Sequence, residues 1–444
     1  MKLILTILMF LTIYKYGKNI FNEKKKNKKS KKNKKSKKHY KSLKTFNIQN
    51  IQNNQMLIVN TFHKINDILN IEPNIIFPQN INMEPNVNLI QNIQGPYTPQ
   101  QITQCYNINQ IVPINPNRVP IVAIITSYYN PKLQTDFNVW TNYFGLPSKI
   151  LNIINLGSNT NYATRSNTGW YLEVMLDIES LYTVCQNAQI YIICAQSASY
   201  ANILLAIKKA NLIGANIVSM SFGSKEPSSG SFDSQFISKT CSYLASTGDS
   251  EFPSYPALSP NVLAIGGTTL SINYDGSVYS RSNEQTWNLA GAGYSNIFTQ
   301  PSYQQGIPLL NGKKRAIPDI SADSNPSSGF YVYCSNYQSK GSGWYMVGGT
   351  SLACPLNAGL IANADIIRFN NSKSALSTVS TSSYQVQTSI YNIYKSSQTN
   401  YSNLFYDVST GQSDNNFRPD TGFDIPTGLG VANFSNLANQ LASI

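Results

Sequence analysis

The chain has 444 residues, 41% of them apolar and 12% charged, a balance that fills a globular core and excludes a fibrous or wholly disordered chain. Its formal charge of +13 is concentrated: residues 23–44 hold thirteen lysines and one glutamate, and the rest is close to neutral. A nucleic-acid partner for the folded part is therefore excluded, since its basic footprint would have to lie on the domain itself.

Residues 1–22 open with a short basic start and an apolar run from Leu3 to Tyr14, the layout of the first two regions of a secretory signal. The run falls short of the ~20 apolar residues that span a bilayer. No small-x-small cleavage site follows. Two readings stand: the secretory route, toward an extracellular or acidic luminal location, or an uncleaved membrane tether whose flanking lysines stay cytosolic. Residues 23–44 lack apolar periodicity and repel themselves, which predicts a disordered, solvated tether, with contact to anionic surfaces as its functional alternative. Residues 45–94, rich in Asn, Ile and Gln, read as a linker or a short N-terminal appendage.

From Gly95 the texture changes. Buried-strand runs stand at 119–126 (VPIVAIIT), 189–195 (QIYIICA), 216–221 (NIVSMS) and 243–247 (YLAST). Helical patterns lie between them, at 170–184 and at 201–214, the latter closed by Gly214. Strands alternating with helices predict an α/β fold with a doubly wound, mostly parallel sheet and helices on both faces. There is no internal repeat and no phosphate-binding glycine fingerprint. Six scattered cysteines (105, 185, 194, 241, 334, 354) show no CxxC and no zinc spacing, so a few disulfides and simple burial both fit. Sequons at Asn370, Asn400 and Asn433 carry little weight in a chain so rich in asparagine.

Residues 348–355 read GGTSLACP, and the apolar spacing of 354–369 predicts a helix with Pro355 near its first turn. Ser351 then sits at a helix N-terminus, where unpaired N–H groups favour developing negative charge. A serine needs a base, usually an imidazole. The two histidines, His39 and His63, lie outside 95–444, so a Ser-His-Asp relay within this domain is excluded and lysine or a carboxylate remains. In WYLEVMLDIES, Glu173 and Asp177 are four apart and share a helix face among apolar neighbours. Two acids so placed push one pKa upward, as a carboxylate base requires. On spacing alone such a pair is more often a solvated face. Asp249 follows the YLAST strand at the carboxyl end where α/β sheets build their sites, although an Asp after a glycine is more often a turn residue.

Taken together, these segments resemble the sedolisin family, serine-carboxyl peptidases with a subtilisin-like α/β fold. The likeness runs through YTPQQITQCY, FGLPSKI, WYLEVMLDIES, NIVSMSFGSKE, ASTGDSEFPSYPALSPNVLAIGGTTL, IPDISAD and VGGTSLACP to DVSTG and TGFDIPTGLG, covering nearly all of 95–444 in order. It implies a peptidase domain over 95–444 with Ser351 as nucleophile, Glu173 as general base and acid, Asp177 as its partner, and Asp249 as a protonated oxyanion donor favouring acidic pH. It implies one structural Ca²⁺ held by the carboxylates of Asp407 and Asp424 and the carbonyls of Val408, Asp420 and Gly422, with Asp420 standing where the family commonly has glycine. Protein or peptide substrates and a monomer follow, with internal cleavage and tripeptide release both open. AGAGYS (290–295) has alanines where the family runs glycines, and 45–94 is short for the family's prosegment. Two rivals stand beside this reading. The DTG triplet at Asp420 is a signature of aspartic peptidases, which need two such triplets, and a sedolisin-like domain on a lysine tether could serve as a non-catalytic binding module.

Overall fold

The computed structural model describes residues 71–74, 95–157, 168–228, 233–337, 343–379 and 385–444. The expected leader and lysine tether lie outside the described residues, as does all of the 45–94 segment except 71–74. The chain from Asn66 onward forms one compact unit.

Its strands, in chain order, are β1 (Glu72–Pro73), β2 (Ile121–Ser127), β3 (Asn152–Asn155), β4 (Gln189–Ala195), β5 (Ile217–Met220), β6 (Phe222–Gly223), β7 (Ser242–Ser246) and β8 (Leu263–Tyr274), followed by β9 (Tyr279–Thr286), β10 (Gly293–Thr299), β11 (Lys314–Ile317), β12 (Ile320–Asp323), β13 (Phe330–Tyr333), β14 (Trp344–Val347), β15 (Phe405–Tyr406) and β16 (Val431–Ala432). The main sheet runs β15-β16-β12-β8-β7-β5-β2-β4-β3, with β9 paired to the far half of β8. From β16 to β3 every pairing is parallel, and β15 and β9 are antiparallel additions. Buried on both faces, these strands are near-continuous apolar runs, which is why they could be read from the sequence.

The period-two alternation of strand side chains divides the core into two layers. On β2, Val122 and Ile124 enter one layer and Ala123 and Ile125 the other. β4 does the same with Ile190 and Ile192 against Ile193 and Ala195. Helix α4 (Tyr200–Leu212), with Ile203, Ala206, Ile207 and Ala210, covers one face. The other is covered by α3 (Gly169–Val184) and α5 (Thr350–Asn370), together with α1 (Pro99–Cys105) and α2 (Leu133–Tyr143). The C-terminal part adds α6 (Val386–Ser396), α7 (Gln398–Leu404) and α8 (Phe434–Ser443).

Helix α3 is buried from Trp170 to Val184 on all sides, as a helix enclosed between the sheet and its neighbours must be. It packs directly on α5. At the crossing, a Cβ on Gly359 of α5 would lie 2.6 Å from Cβ of Val184, so glycine sets how closely the two helices approach. α5 begins at Thr350, earlier than the sequence pattern implied, and Pro355 therefore sits in the second turn rather than near the first. Its missing N–H leaves the Ser351 carbonyl without the usual i→i−4 donor.

All six cysteines are free thiols, and all but Cys105 are buried, which settles the open choice in this structure in favour of burial. Among the described residues no helix is long and apolar enough to cross a membrane.

Several buried carboxyls staple the scaffold. Asp319 accepts both nitrogens of the Arg315 fork at 2.7 and 2.6 Å, the Tyr391 hydroxyl at 2.8 Å and the Ala264 N–H at 2.9 Å, with both side chains of the ion pair fully buried. Elsewhere Glu179 accepts the Tyr333 N–H, Asp323 the Leu270 N–H, and Asp365 the Leu376 N–H. Burial raises all three carboxyls well above the ordinary range, Asp365 to about 8.

Two outcomes follow. Asp319→Ala leaves the buried guanidinium uncompensated and should cost ~3–5 kcal/mol in urea unfolding. For the acids with raised folded-state pKa, the folded chain binds more protons than the unfolded one between the unfolded value near 4 and the folded value. Stability therefore falls as pH rises across that window, and thermal melts should show a lower Tm at pH 8 than at pH 5. A flat or rising profile would contradict the buried-acid assignment.

Candidate active site

The four expected catalytic residues come from three places that the fold brings together. Ser351 is the second residue of α5, entered through Gly349 at φ +115°, a turn only glycine makes without strain. Glu173 and Asp177 lie one turn apart on α3, both 1% exposed. Asp249 follows β7, and Ser221 follows β5, so the site lies beyond the carboxyl ends of parallel strands.

The local hydrogen bonds are asymmetric. Ser221 Oγ donates to Asp177 Oδ1 at 2.5 Å, fixing that carboxyl and leaving its Oδ2 buried without a partner. Asp249 Oδ1 accepts both the N–H and the hydroxyl of Thr350 at 2.8 Å, while its Oδ2 is buried and unpaired. Thr350 Oγ1 in turn accepts the Gly248 N–H at 3.1 Å, closing a link between the strand end and the helix start. Both oxygens of Glu173 are buried with no hydrogen-bond partner. The Ser351 hydroxyl faces that carboxyl but donates to the carbonyl of Asn74 and lies 3.3 Å from the carbonyl of Ser221.

Among the described residues the ion pairs are Arg281–Glu284 and Arg315–Asp319, so no cation neutralises Glu173, Asp177 or Asp249. Burial is the largest cause of their shifts. It pushes Glu173 well above the carboxylate range, the nearby Asp177 charge and then Asp249 add to the rise, and the Ser351 hydroxyl opposes it. Burial raises Asp177 as well, against the Ser221 hydrogen bond. Asp249 reaches about 7, held back by the two Thr350 bonds. Such a set cannot be fully ionised at neutral pH, so protons remain in the site.

Sequence reasoning missed three residues that complete this geometry. Ser221 and Thr350 hold the two aspartates and stand in segments already singled out, next to a strand end and to the nucleophile. Asn74 is different: it sits beyond the short strand β1, paired antiparallel with β6, inside a stretch with little periodic signal.

Four of the expected calcium ligands, Asp407, Asp420, Gly422 and Asp424, also lie in contact pairs around one turn. Asp407 accepts the Gly422 N–H through both oxygens at 3.0 and 2.9 Å, and Asp424 accepts the Asp420 N–H at 3.4 Å and Thr427 at 2.8 Å. Two carboxylates thus approach the 420–422 turn, and Val408 directly follows Asp407 in the chain. Asp424 is buried, and no described cation pairs with either acid. An all-oxygen set of this kind fits a hard cation. Among the described residues no group of three or more His, Cys, Asp or Glu could hold a metal, so carbonyls would have to complete this one. Asp420 is exposed, and its carboxyl accepts the neighbouring Thr421 N–H at 2.7 Å, an ordinary turn arrangement unlike a buried aspartic-peptidase dyad.

A family model described as the Subtilase family matches residues 153–411. The chain is 33% identical to sedolisin of Pseudomonas sp. (strain 101) over 204 residues, 43% of this chain and 30% of that protein. It is 25% identical to tripeptidyl-peptidase 1 of Dictyostelium discoideum over 363 residues, 72% of this chain and 54% of that protein. The chain thus spans about a third to a half of the length of these curated relatives. A solved structure of Pseudomonas sedolisin, a serine-carboxyl proteinase complexed with two molecules of pseudo-iodotyrostatin, matches with a TM-score of 0.62 and 27% identity, over 79% of this chain and 99% of that one. With more than half of its length under the family model and a like-folded sedolisin aligned almost end to end, this chain belongs to the subtilase family, in its sedolisin branch.

Proposed function

We propose that the chain is an acid-active serine-carboxyl peptidase that hydrolyses protein or peptide substrates through an acyl-enzyme on Ser351. One observation carries this reading: two buried carboxyls without a cation lie one helical turn apart, and one of them, Glu173, faces a serine hydroxyl at a helix N-terminus. Sedolisin and tripeptidyl-peptidase 1 among the relatives support it.

In this mechanism Glu173, ionised while Asp177 holds the shared proton, accepts the Ser351 proton as Oγ attacks the substrate carbonyl. Burial raises its basicity to a useful level. The tetrahedral oxyanion meets the Ser351 N–H at the start of α5 and the proton on Asp249, whose unpaired Oδ2 is the free position for it. Thr350 holds the other oxygen, so the carboxyl is oriented before the reaction begins. Glu173 then protonates the leaving amine and activates water for deacylation. Asp177 is a positioning residue, anchored through Ser221.

Asp407, Asp424 and the carbonyls of Val408, Asp420 and Gly422 would hold one Ca²⁺, which would neutralise two acids and pin the C-terminal loop without entering the chemistry. An acidic lumen or an extracellular site reached by the secretory route suits the proton demand of the site.

Three measurements test the proposal. Ser351→Ala and Glu173→Gln should each lower kcat on casein ~10⁴-fold or more, and the double variant should be no worse than either alone, because the residues act as a unit. Equal activity in Ser351→Ala would instead favour an aspartic mechanism, and no cleavage by folded wild-type protein between pH 3 and 7 would favour the binding module. Activity should fall as pH rises through about 7, where Asp249 loses its proton. Asp249→Ala should cost ~10²–10³ in kcat, whereas Asp249→Asn keeps a donor and should remove that alkaline limb. Titration calorimetry should detect one Ca²⁺ whose chelation lowers Tm, with both signals lost in Asp407→Ala and Asp424→Ala.

A further inference from the structure

The segment Ile71–Asn74 enters the site just described as a substrate would. β1 pairs antiparallel with β6, with Glu72 opposite Gly223 and Pro73 opposite Phe222. The Asn74 N–H donates to Ser221 O at 3.3 Å. Its carbonyl oxygen accepts the Ser351 hydroxyl and, at 3.3 Å, the Ser351 N–H, the backbone donor at the start of α5. A peptide carbonyl is thus seated on the nucleophile and on one oxyanion donor at once.

The Asn74 side chain is buried in a pocket of distinct polarity. Its Nδ2 donates to Ser246 Oγ at 2.8 Å, with Ser246 O 3.5 Å away. The Ser246 hydroxyl is itself directed at Met220 O, so toward Asn74 it offers a lone pair. The pocket floor therefore presents acceptors, which an amide NH₂ satisfies and a carboxylate does not. Gly223 forms one wall. A Cβ there would lie 2.4 Å from Ser254 Oγ and 3.2 Å from Asn74 Nδ2, closing the pocket.

Resting on the peptidase reading above, we propose that this pocket selects asparagine on the acyl side of the scissile bond, and that the chain's first substrate is its own Asn74–Ile75 bond. Ser351 Oγ attacks the Asn74 carbonyl carbon and its proton passes to Glu173. The Asn74–Ile75 C–N bond breaks as Glu173 protonates the Ile75 nitrogen. Water then cleaves the Asn74 ester, giving a free Asn74 carboxyl and restoring Ser351. Upstream, Ile71 is 4% exposed in the core layer and donates to Ala198 O, so the cleft seats a fourth residue. It is not closed after three, and the enzyme cleaves internally rather than releasing tripeptides.

The test expresses the full chain as wild type, Ser351→Ala, Asn74→Asp and Ser246→Ala, with folding checked by circular dichroism and casein cleavage measured in parallel near pH 5. N-terminal sequencing should find a species starting at Ile75 in the wild type and none in Ser351→Ala. Asn74→Asp should slow its appearance ~10-fold or more, since the pocket's acceptors would face a carboxyl. The synthetic peptide IEPNIIFP should be cut after Asn, its Asp analogue ~10-fold or more slower, and Ser246→Ala should narrow that ratio. If Ser351-dependent casein cleavage occurs while Asn74–Ile75 stays intact, or while Asn and Asp are cut alike, this proposal fails and the peptidase reading stands. If folded wild-type protein leaves casein, peptide and its own chain uncut, both fail.

Discussion

The fold depends on tolerating three carboxyl groups, Glu173, Asp177 and Glu179, inside a helix that is enclosed on every side. A buried, ionised carboxylate without a cation is too costly to persist, so the group keeps its proton or the structure supplies a partner. At Asp319 the chain supplies Arg315, and the result is a structural staple. At Glu173 and Asp177 it supplies no cation and only hydroxyls, Ser221 to Asp177 and Ser351 facing Glu173, so protons remain where α3 meets the start of α5. The same residue type performs two tasks: Asp319, matched by a guanidinium, and Glu179, matched by a backbone N–H, hold the scaffold, while Glu173 and Asp177, matched by neither, are left to hold protons.

Close packing of α3 on α5 makes the arrangement possible. With Gly359 at the crossing, Glu173 of one helix reaches the serine of the other without a connecting loop. The remaining elements approach from strand ends: Ser221 after β5 fixes Asp177, and Asp249 after β7 is tied to Thr350. Each strand end thereby orients one carboxyl, and the sheet order, with β5 and β7 adjacent, puts these anchors side by side.

Much of this was legible in the residues. Parallel strands buried on both faces are continuous apolar runs, and β2, β4, β5 and β7 lie within a residue or two of their expected bounds. The missing imidazole directed attention to Glu173 and Asp177, and the apolar residues around them already implied an enclosed helix. Short-range patterns could not show the antiparallel additions: β9 and β10 are polar and partly exposed, β11 is a four-residue strand that begins with Lys-Arg, and their pairing depends on tertiary neighbours. The start of α5 was placed too late because Pro355 imitates a first-turn proline. Asn74 was invisible for another reason. A two-residue strand that earns its place by meeting an active site has no periodicity of its own.

The six thiols have a consequence of a different kind. None is bridged, and burial raises Cys185 to about 11 and Cys194 and Cys354 to about 12, so almost no thiolate exists at any physiological pH. Once folded, the domain keeps its five buried thiols out of the reach of oxidants.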